Sequence, residues 1–229
     1  MATLSDEEFG EITIRKSHRA RHVKISVAPD GRLRASMPAF ASTRGLKRLL
    51  SDSRDEIRQM LAQQAPSVRY EHGMQIGKSH SLLVVEGATL GVARQELKLV
   101  VTLPPTMQLH DNAVQDLLRE HIRAALRREA KHYLPKRLEI LARQLDCQYE
   151  RVRFSHASSR WGSCSTRGTI SLNIALMQLP FELIDYVLIH ELCHTKQMNH
   201  SQKFWELVAM KDPEYISHCR SIKKYSPTI

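Results

Sequence analysis

Apolar and polar residues alternate with period two through the first forty positions. Ile12 and Ile14, then Val23, Ile25 and Val27, then Leu33, Ala35 and Met37 mark three strands. Pro29-Asp30-Gly31 supplies turn chemistry between the second and third runs and predicts a hairpin there. Arg15, Lys16, Arg19, Arg21, Lys24, Arg32 and Arg34 lie on or beside these strands, so the hairpin is basic. At Ser42 or Thr43, either of which can cap a helix, the apolar spacing lengthens. Leu46, Leu49, Leu50, Ile57 and Leu61 predict one helix running to about Gln64. A second β stretch is expected over roughly 75–103, with strands near 81–85, 91–94 and 96–103. Pro104-Pro105 closes it, and a domain boundary is expected there, separating 1–108 from 109–229.

Beyond Asn112 the period is helical. Val114, Leu117, Leu118, Ile122, Ala125, Leu126, Ala130, Tyr133 and Leu134 form one stripe, with a kink or restart expected at Pro135. Arg119, Arg123 and Arg127 share another face at i, i+4 and i+8. Short strands are expected at 152–154, 160–164 and 169–172, with Thr166-Arg167-Gly168 turning between the last two. A helix over 181–194 follows, then two short helices separated at Asp212-Pro213.

Composition narrows the class. The 229 residues are 42% hydrophobic and 25% charged, the balance of a globular protein able to bury a core without disulfides. The four cysteines form no CxxC pair, which excludes a zinc ribbon and argues for free thiols. The N-terminal residues have no basic-then-apolar signal pattern, and no apolar run is long enough to span a bilayer. The expected location is cytoplasmic, with no membrane partner. The net charge of +10 points to an anionic partner, nucleotide or nucleic acid, although the excess is dispersed along the chain.

The chemistry concentrates in Ile189-His190-Glu191-Leu192-Cys193-His194-Thr195-Lys196-Gln197-Met198-Asn199-His200. On a helix His190 and His194 point to one side, one turn apart, and supply two corners of a tetrahedral zinc site. Glu191, about 100° round the helix from His190, can reach a water on the metal without ligating it. His200 follows His194 by six residues, the spacing of the third ligand in HExxHxxGxxH proteases. Gln197 stands where those enzymes have glycine, so Asn199 is expected to supply the left-handed turn residue. One Zn²⁺ on His190, His194 and His200 is therefore expected, with water at the fourth position and Glu191 as general base. Cys193 is expected to be an inert core thiol. Arg160, Tyr215, His218 and Tyr225 are candidate oxyanion donors, and His218 as a fourth ligand would close the site. The strand holding Arg160, Trp161, Gly162 and Ser163 is the candidate substrate-binding edge, since Gly162 lets another backbone approach.

The run Arg160-Trp161-Gly162-Ser163-Cys164-Ser165, followed by Ile170-Ser171-Leu172-Asn173, Asp185-Tyr186-Val187, His190-Glu191-Leu192-Cys193-His194, Asn199-His200-Ser201 and Phe204-Trp205, resembles the YgjP-like metallopeptidase family, relatives of the SprT-type zinc proteases. The resemblance implies an α+β fold: an N-terminal β-rich part with a helix, then a zincin-like helical catalytic part with a small β-sheet. It also implies a hydrolytic zinc at the three histidines and a polypeptide substrate. Some relatives are described as nucleotide (UTP) pyrophosphatases. That alternative would use the basic hairpin or Arg119, Arg123 and Arg127 to hold phosphates. A third reading, a nucleic-acid-associated protein with a structural zinc, is opposed by Glu191, because a structural site needs no base.

Overall fold

The computed structural model describes residues 2–28, 33–62 and 69–229. The expected turn at Pro29-Asp30-Gly31, with Arg32, and the helix end at Gln63 and Gln64 lie outside the described residues. The fold is mixed α+β, and the chain divides into two compact units, Met1–Val68 and Arg69–Ile229. Among the described residues no helix is long and apolar enough to cross a membrane.

The first unit is a four-stranded sheet in the order β1-β2-β4-β3, from β1 (Ala2–Asp6), β2 (Gly10–Ser17), β3 (Lys24–Val27) and β4 (Leu33–Pro38). The three expected strands are present, and β3 and β4 pair antiparallel as a hairpin requires. β1 is an addition. Its turn to β2 is set by the Asp6 carboxylate, which accepts from the backbone N–H of Glu8 and Phe9 at 3.0 and 3.1 Å, and by Gly10 at φ +70°. The single expected helix is two, α1 (Thr43–Asp52) and α2 (Arg54–Ala62), parted at Ser53. Leu46, Leu50 and Ile57 still reach one core with Ile12, Ile14, Leu33, Ala35 and Met37, so the break leaves the apolar face intact. Arg54 and Arg58 each meet the Glu8 carboxylate at 2.6 Å, tying α2 to the β1–β2 turn.

The second unit is built round α3 (Asn112–Gln144), which runs unbroken through Pro135. The expected restart does not occur. Leu134 and Leu138, both fully buried on either side of the proline, hold the helix against the core and offset its missing hydrogen bond. Two three-stranded sheets pack with this helix. One has the order β5-β7-β6, from β5 (Ser81–Glu86), β6 (Gly91–Gln95) and β7 (Lys98–Leu103). Leu82, Leu99 and Val101 of this sheet share a core with Val114, Leu118 and Ile122 of α3. The division expected at 108/109 thus falls inside the second unit, through a continuous core. The other sheet has the order β8-β10-β9, from β8 (Arg151–Ser155), β9 (Gly162–Cys164) and β10 (Thr169–Asn173). β9 is an edge strand, antiparallel to β10, with Gly162 opposite Leu172 and Ser163 opposite Ser171.

After a 3-10 turn comes α4 (Phe181–Cys193), buried almost all round, as expected of a helix apolar on every face. α5 (Gln202–Lys211) and α6 (Tyr215–Ser221) complete the unit, parted at Asp212-Pro213 as the sequence indicates.

Candidate metal centre

His190 and His194 lie one turn apart at the C-terminal end of α4, and the chain then turns back to bring His200 opposite them. Nε2 of His190 is 3.2 Å from Nε2 of His194 and 3.1 Å from Nε2 of His200. The ligand atoms of all three fall within 4.8 Å of one another. Tetrahedral zinc with nitrogens at about 2.05 Å separates those nitrogens by about 3.3 Å, so this donor set fits the ion expected from the sequence.

The electrostatics agree with that use. The His190 pKa is pushed down to about 4, first by burial and then by the His194 and His200 rings. His194 is shifted down as well, chiefly by burial, with the Gln197 carbonyl acting in the opposite sense. The lowered values favour the neutral form of His190 and His194, the form in which imidazoles bind metals. His194 Nδ1 lies 3.1 Å from the Gln197 carbonyl oxygen. A hydrogen bond there places the proton on Nδ1 and leaves the Nε2 lone pair facing the cluster.

The turn to His200 is made differently from expectation. Among the described residues only Glu96 and Asp146 are non-glycines with positive φ, so Asn199 supplies no left-handed residue. Gln197, in the position where glycine would serve, instead braces the turn. Its side-chain Nε2 donates to Asn199 Oδ1 at 2.6 Å and to Ser201 Oγ at 3.2 Å.

Aromatic rings wall the cluster. Phe204, fully buried, stacks on His194 with centroids 4.5 Å apart. Trp205 stacks on His200 at 5.8 Å and on Tyr215 at 5.7 Å. Tyr215 therefore supports the wall from behind Trp205. His218 does not join the three histidines: its Nδ1 is 2.7 Å from Asp212 Oδ2, and it belongs to a separate pair.

Glu191 is 5% exposed and its Oε2 has no hydrogen-bond partner among the described residues. Burial raises its pKa to about 8, while the Arg160 guanidinium pulls it the other way. Gly162 lies directly against it: a Cβ built on Gly162 would sit 2.6 Å from Glu191 Oε1. Of the other candidate strand residues, Trp161 is half-buried against the core, Ser163 is half-buried in β9, and Arg160 is exposed just ahead of β9. Cys193 is fully buried and its thiol pKa is raised to about 12, first by burial, which fits an inert core residue.

Asn173 carries a positioning role that neither spacing nor composition announces. Fully buried, it donates through Nδ2 to the carbonyls of Ala157 and Arg160 at 2.6 and 2.9 Å, and its backbone N–H donates to the Trp161 carbonyl at 2.8 Å. It thereby fixes the loop that delivers Arg160, Trp161 and Gly162 to Glu191. An asparagine directly after the alternating Ile170-Ser171-Leu172 was the only sequence signal for it.

A family model described as YgjP-like, metallopeptidase domain, matches residues 21–225. No curated protein matches the chain. Among solved structures, the crystal structure of the metallopeptidase zymogen of Pyrococcus abyssi abylysin is similar at 31% sequence identity, covering 39% of this chain and 92% of that chain, with a TM-score of 0.36.

Proposed function

Because the chain belongs to the YgjP-like metallopeptidase family, we propose that His190, His194 and His200 hold one zinc ion and that Glu191 is the general base of peptide-bond hydrolysis. The observation that carries this reading is the convergence of three imidazole Nε2 atoms, with a buried carboxylate on the residue after the first histidine. When bound, the metal supplies a Lewis acid that polarises the scissile carbonyl and acidifies a water.

The chain's own groups do the rest. Glu191, with one oxygen unpartnered, accepts the water's proton and returns it to the departing amine. Its burial places its pKa near neutrality, where both transfers are accessible. The close approach of Gly162 restricts where the carboxylate can swing. β9 pairs only through one edge among the described residues. Its other edge offers backbone N–H and C=O groups for an extended peptide.

A second reading, hydrolysis of a nucleotide phosphoanhydride at the same centre, has one observation in its favour. The His156 pKa is lowered first by burial and then by Arg123 and Arg127, so two cationic groups of α3 stand near the loop that leads to Arg160. Neither arginine pairs with a carboxylate among the described residues.

The experiment is to incubate zinc-loaded protein with unfolded polypeptides and, separately, with nucleoside triphosphates, using Glu191→Gln as the control. Peptide cleavage that disappears in the variant while metal stoichiometry is kept is the expected result. Glu191-dependent release of pyrophosphate with no peptide cleavage selects the second reading. Loss of metal in Glu191→Gln makes Glu191 a ligand and overturns the mechanism.

A further inference from the structure

The N-terminal sheet covers its inner face with α1 and α2 and leaves its outer face to solvent. Strand register places the outward side chains in two rows. One runs Thr3, Thr13, Arg34, Ser26 across the four strands, and the next runs Arg15, Ser36, Lys24 across three. Arg15, Lys24 and Arg34 are all exposed. Beyond the end of β2 the chain continues through exposed Arg19 and Arg21. Glu11, opposite Ser5 at one end, is the single carboxylate on this face among the described residues.

The two sides of the unit treat their cations differently. Arg54 and Arg58 on α2 are clamped by Asp6 and Glu8. Arg15, Lys24, Arg19 and Arg21 have no ion pair among the described residues. Asp6 and Glu8 are thus engaged at α2, and on the sheet face the cations outnumber Glu11, its one carboxylate among the described residues. A face made only for solubility interleaves both signs.

We propose that this sheet face binds nucleic acid through its phosphodiester backbone. Cations with serine and threonine hydroxyls between them are the groups that contact phosphate oxygens. Side chains two apart along a strand stand about 6.7 Å from each other and adjacent strands about 4.8 Å, so the face presents a grid of donors. No outward residue in the two rows is aromatic, so there is no platform for base stacking, and binding is independent of sequence. The inference concerns a surface apart from the histidine cluster and stands whether or not that centre hydrolyses peptides.

The test uses the whole chain and fluorescence anisotropy with labelled 20-nucleotide probes: single-stranded DNA of two unrelated sequences, the matching RNA, and the DNA duplex. Binding to at least one probe type at 50 mM salt is expected, equal for the two sequences. Neutralising about four phosphates weakens binding roughly 100-fold between 50 and 200 mM salt. Which probe binds tightest identifies DNA or RNA as the source of the phosphates.

The variant Arg15→Glu/Lys24→Glu should lose at least tenfold in affinity. Arg128→Glu/Lys131→Glu, two exposed residues of α3 with the same change in net charge, should lose less than threefold. Thermal unfolding and metal content verify that both variants fold. If the reversal variant does not, Arg15→Gln/Lys24→Gln takes its place, with a smaller loss expected. Absence of binding at 50 mM salt, equal losses in the two double variants, or equal competition by polyglutamate would each overturn the proposal, the last in favour of an acidic protein.

Discussion

Gly162 and Glu191 are 29 positions apart in sequence, yet a methyl group on the first would overlap the carboxylate of the second, at 2.6 to 2.8 Å from its Oε1, Cγ and Cδ. β9 and α4 touch there with no room for a side chain. Gly162→Ala is expected to displace Glu191 and lower turnover at least tenfold, while metal content stays unchanged. Overpacking at a buried contact costs about 1–3 kcal/mol, so a modest fall in unfolding temperature accompanies it. Metal analysis, turnover and a melting curve on one preparation decide the matter. Full activity would mean that Glu191 is not held by this contact.

Trp205→Ala should weaken metal binding without removing a ligand. The indole stacks on His200, the one exposed member of the triad, and is backed by Tyr215. Loss of an orienting neighbour typically costs ten- to a hundredfold in metal affinity. Competition with a chromophoric chelator measures this directly. Trp205→Phe, which keeps a ring, should recover part of the loss.

Glu129 on α3 is 8% exposed and accepts from the backbone N–H groups of Lys78, Ser79 and His80 at 2.7, 3.0 and 3.1 Å, and it lies 2.5 Å from His80 Nδ1. Truncating it leaves several buried donors without an acceptor. Glu129→Ala is expected to destabilise the protein by about 3 kcal/mol or more, read from denaturant midpoints at constant slope. A loss below about 1 kcal/mol would show that water replaces the carboxylate at little cost.

Tyr70 sets an alkaline limit. Its ring is fully buried, its hydroxyl has no partner among the described residues, and burial raises its pKa from 10.0 to about 12 against the pull of Arg119 and Arg123. The neutral form is favoured in the folded state. Its stabilisation is complete below pH 10, where the unfolded chain also keeps the proton, and is lost as pH rises towards 12. Two pKa units correspond to about 2.7 kcal/mol. Tyr70→Phe should match the parent at pH 7, since it removes an unsatisfied hydroxyl, and should unfold less steeply with pH between 10 and 12. Parallel stability curves for the two proteins would contradict this.

The parts of the molecule legible in the sequence are those encoded within a few turns of chain. His190, Glu191, His194 and His200 lie within eleven consecutive positions, and helical spacing for the first three with the six-residue interval to His200 announces their convergence. β2, β3 and β4 follow from period-two alternation, and the strands of the second unit from short apolar runs bounded by glycine and turn residues. β1 escaped because Leu4 is its one large apolar residue before the acidic turn, too little for an alternation to show, and that turn is stabilised by arginines some fifty positions away. The Gly162–Glu191 contact and the Asn173 clamp join separate elements and leave no periodic mark. Asn199 needs no left-handed backbone because a side-chain amide, Gln197, does the work of a backbone twist.

α3 belongs to both sheets of the second unit, which has a practical meaning for anyone who wishes to divide this protein. A fragment starting near 109 would strip Leu82, Leu99 and Val101 from the helix and wet Val114, Leu118 and Ile122. Such a piece would expose a greasy stripe and aggregate, although it would keep every histidine of the cluster. A cut before Arg69 leaves that layer whole. The long helix also makes the unit fail as a whole. Its slowest-exchanging amides should share one opening free energy from the β7 end to α4, so damage far from the histidines is felt at them as lost occupancy of the folded state rather than as altered chemistry.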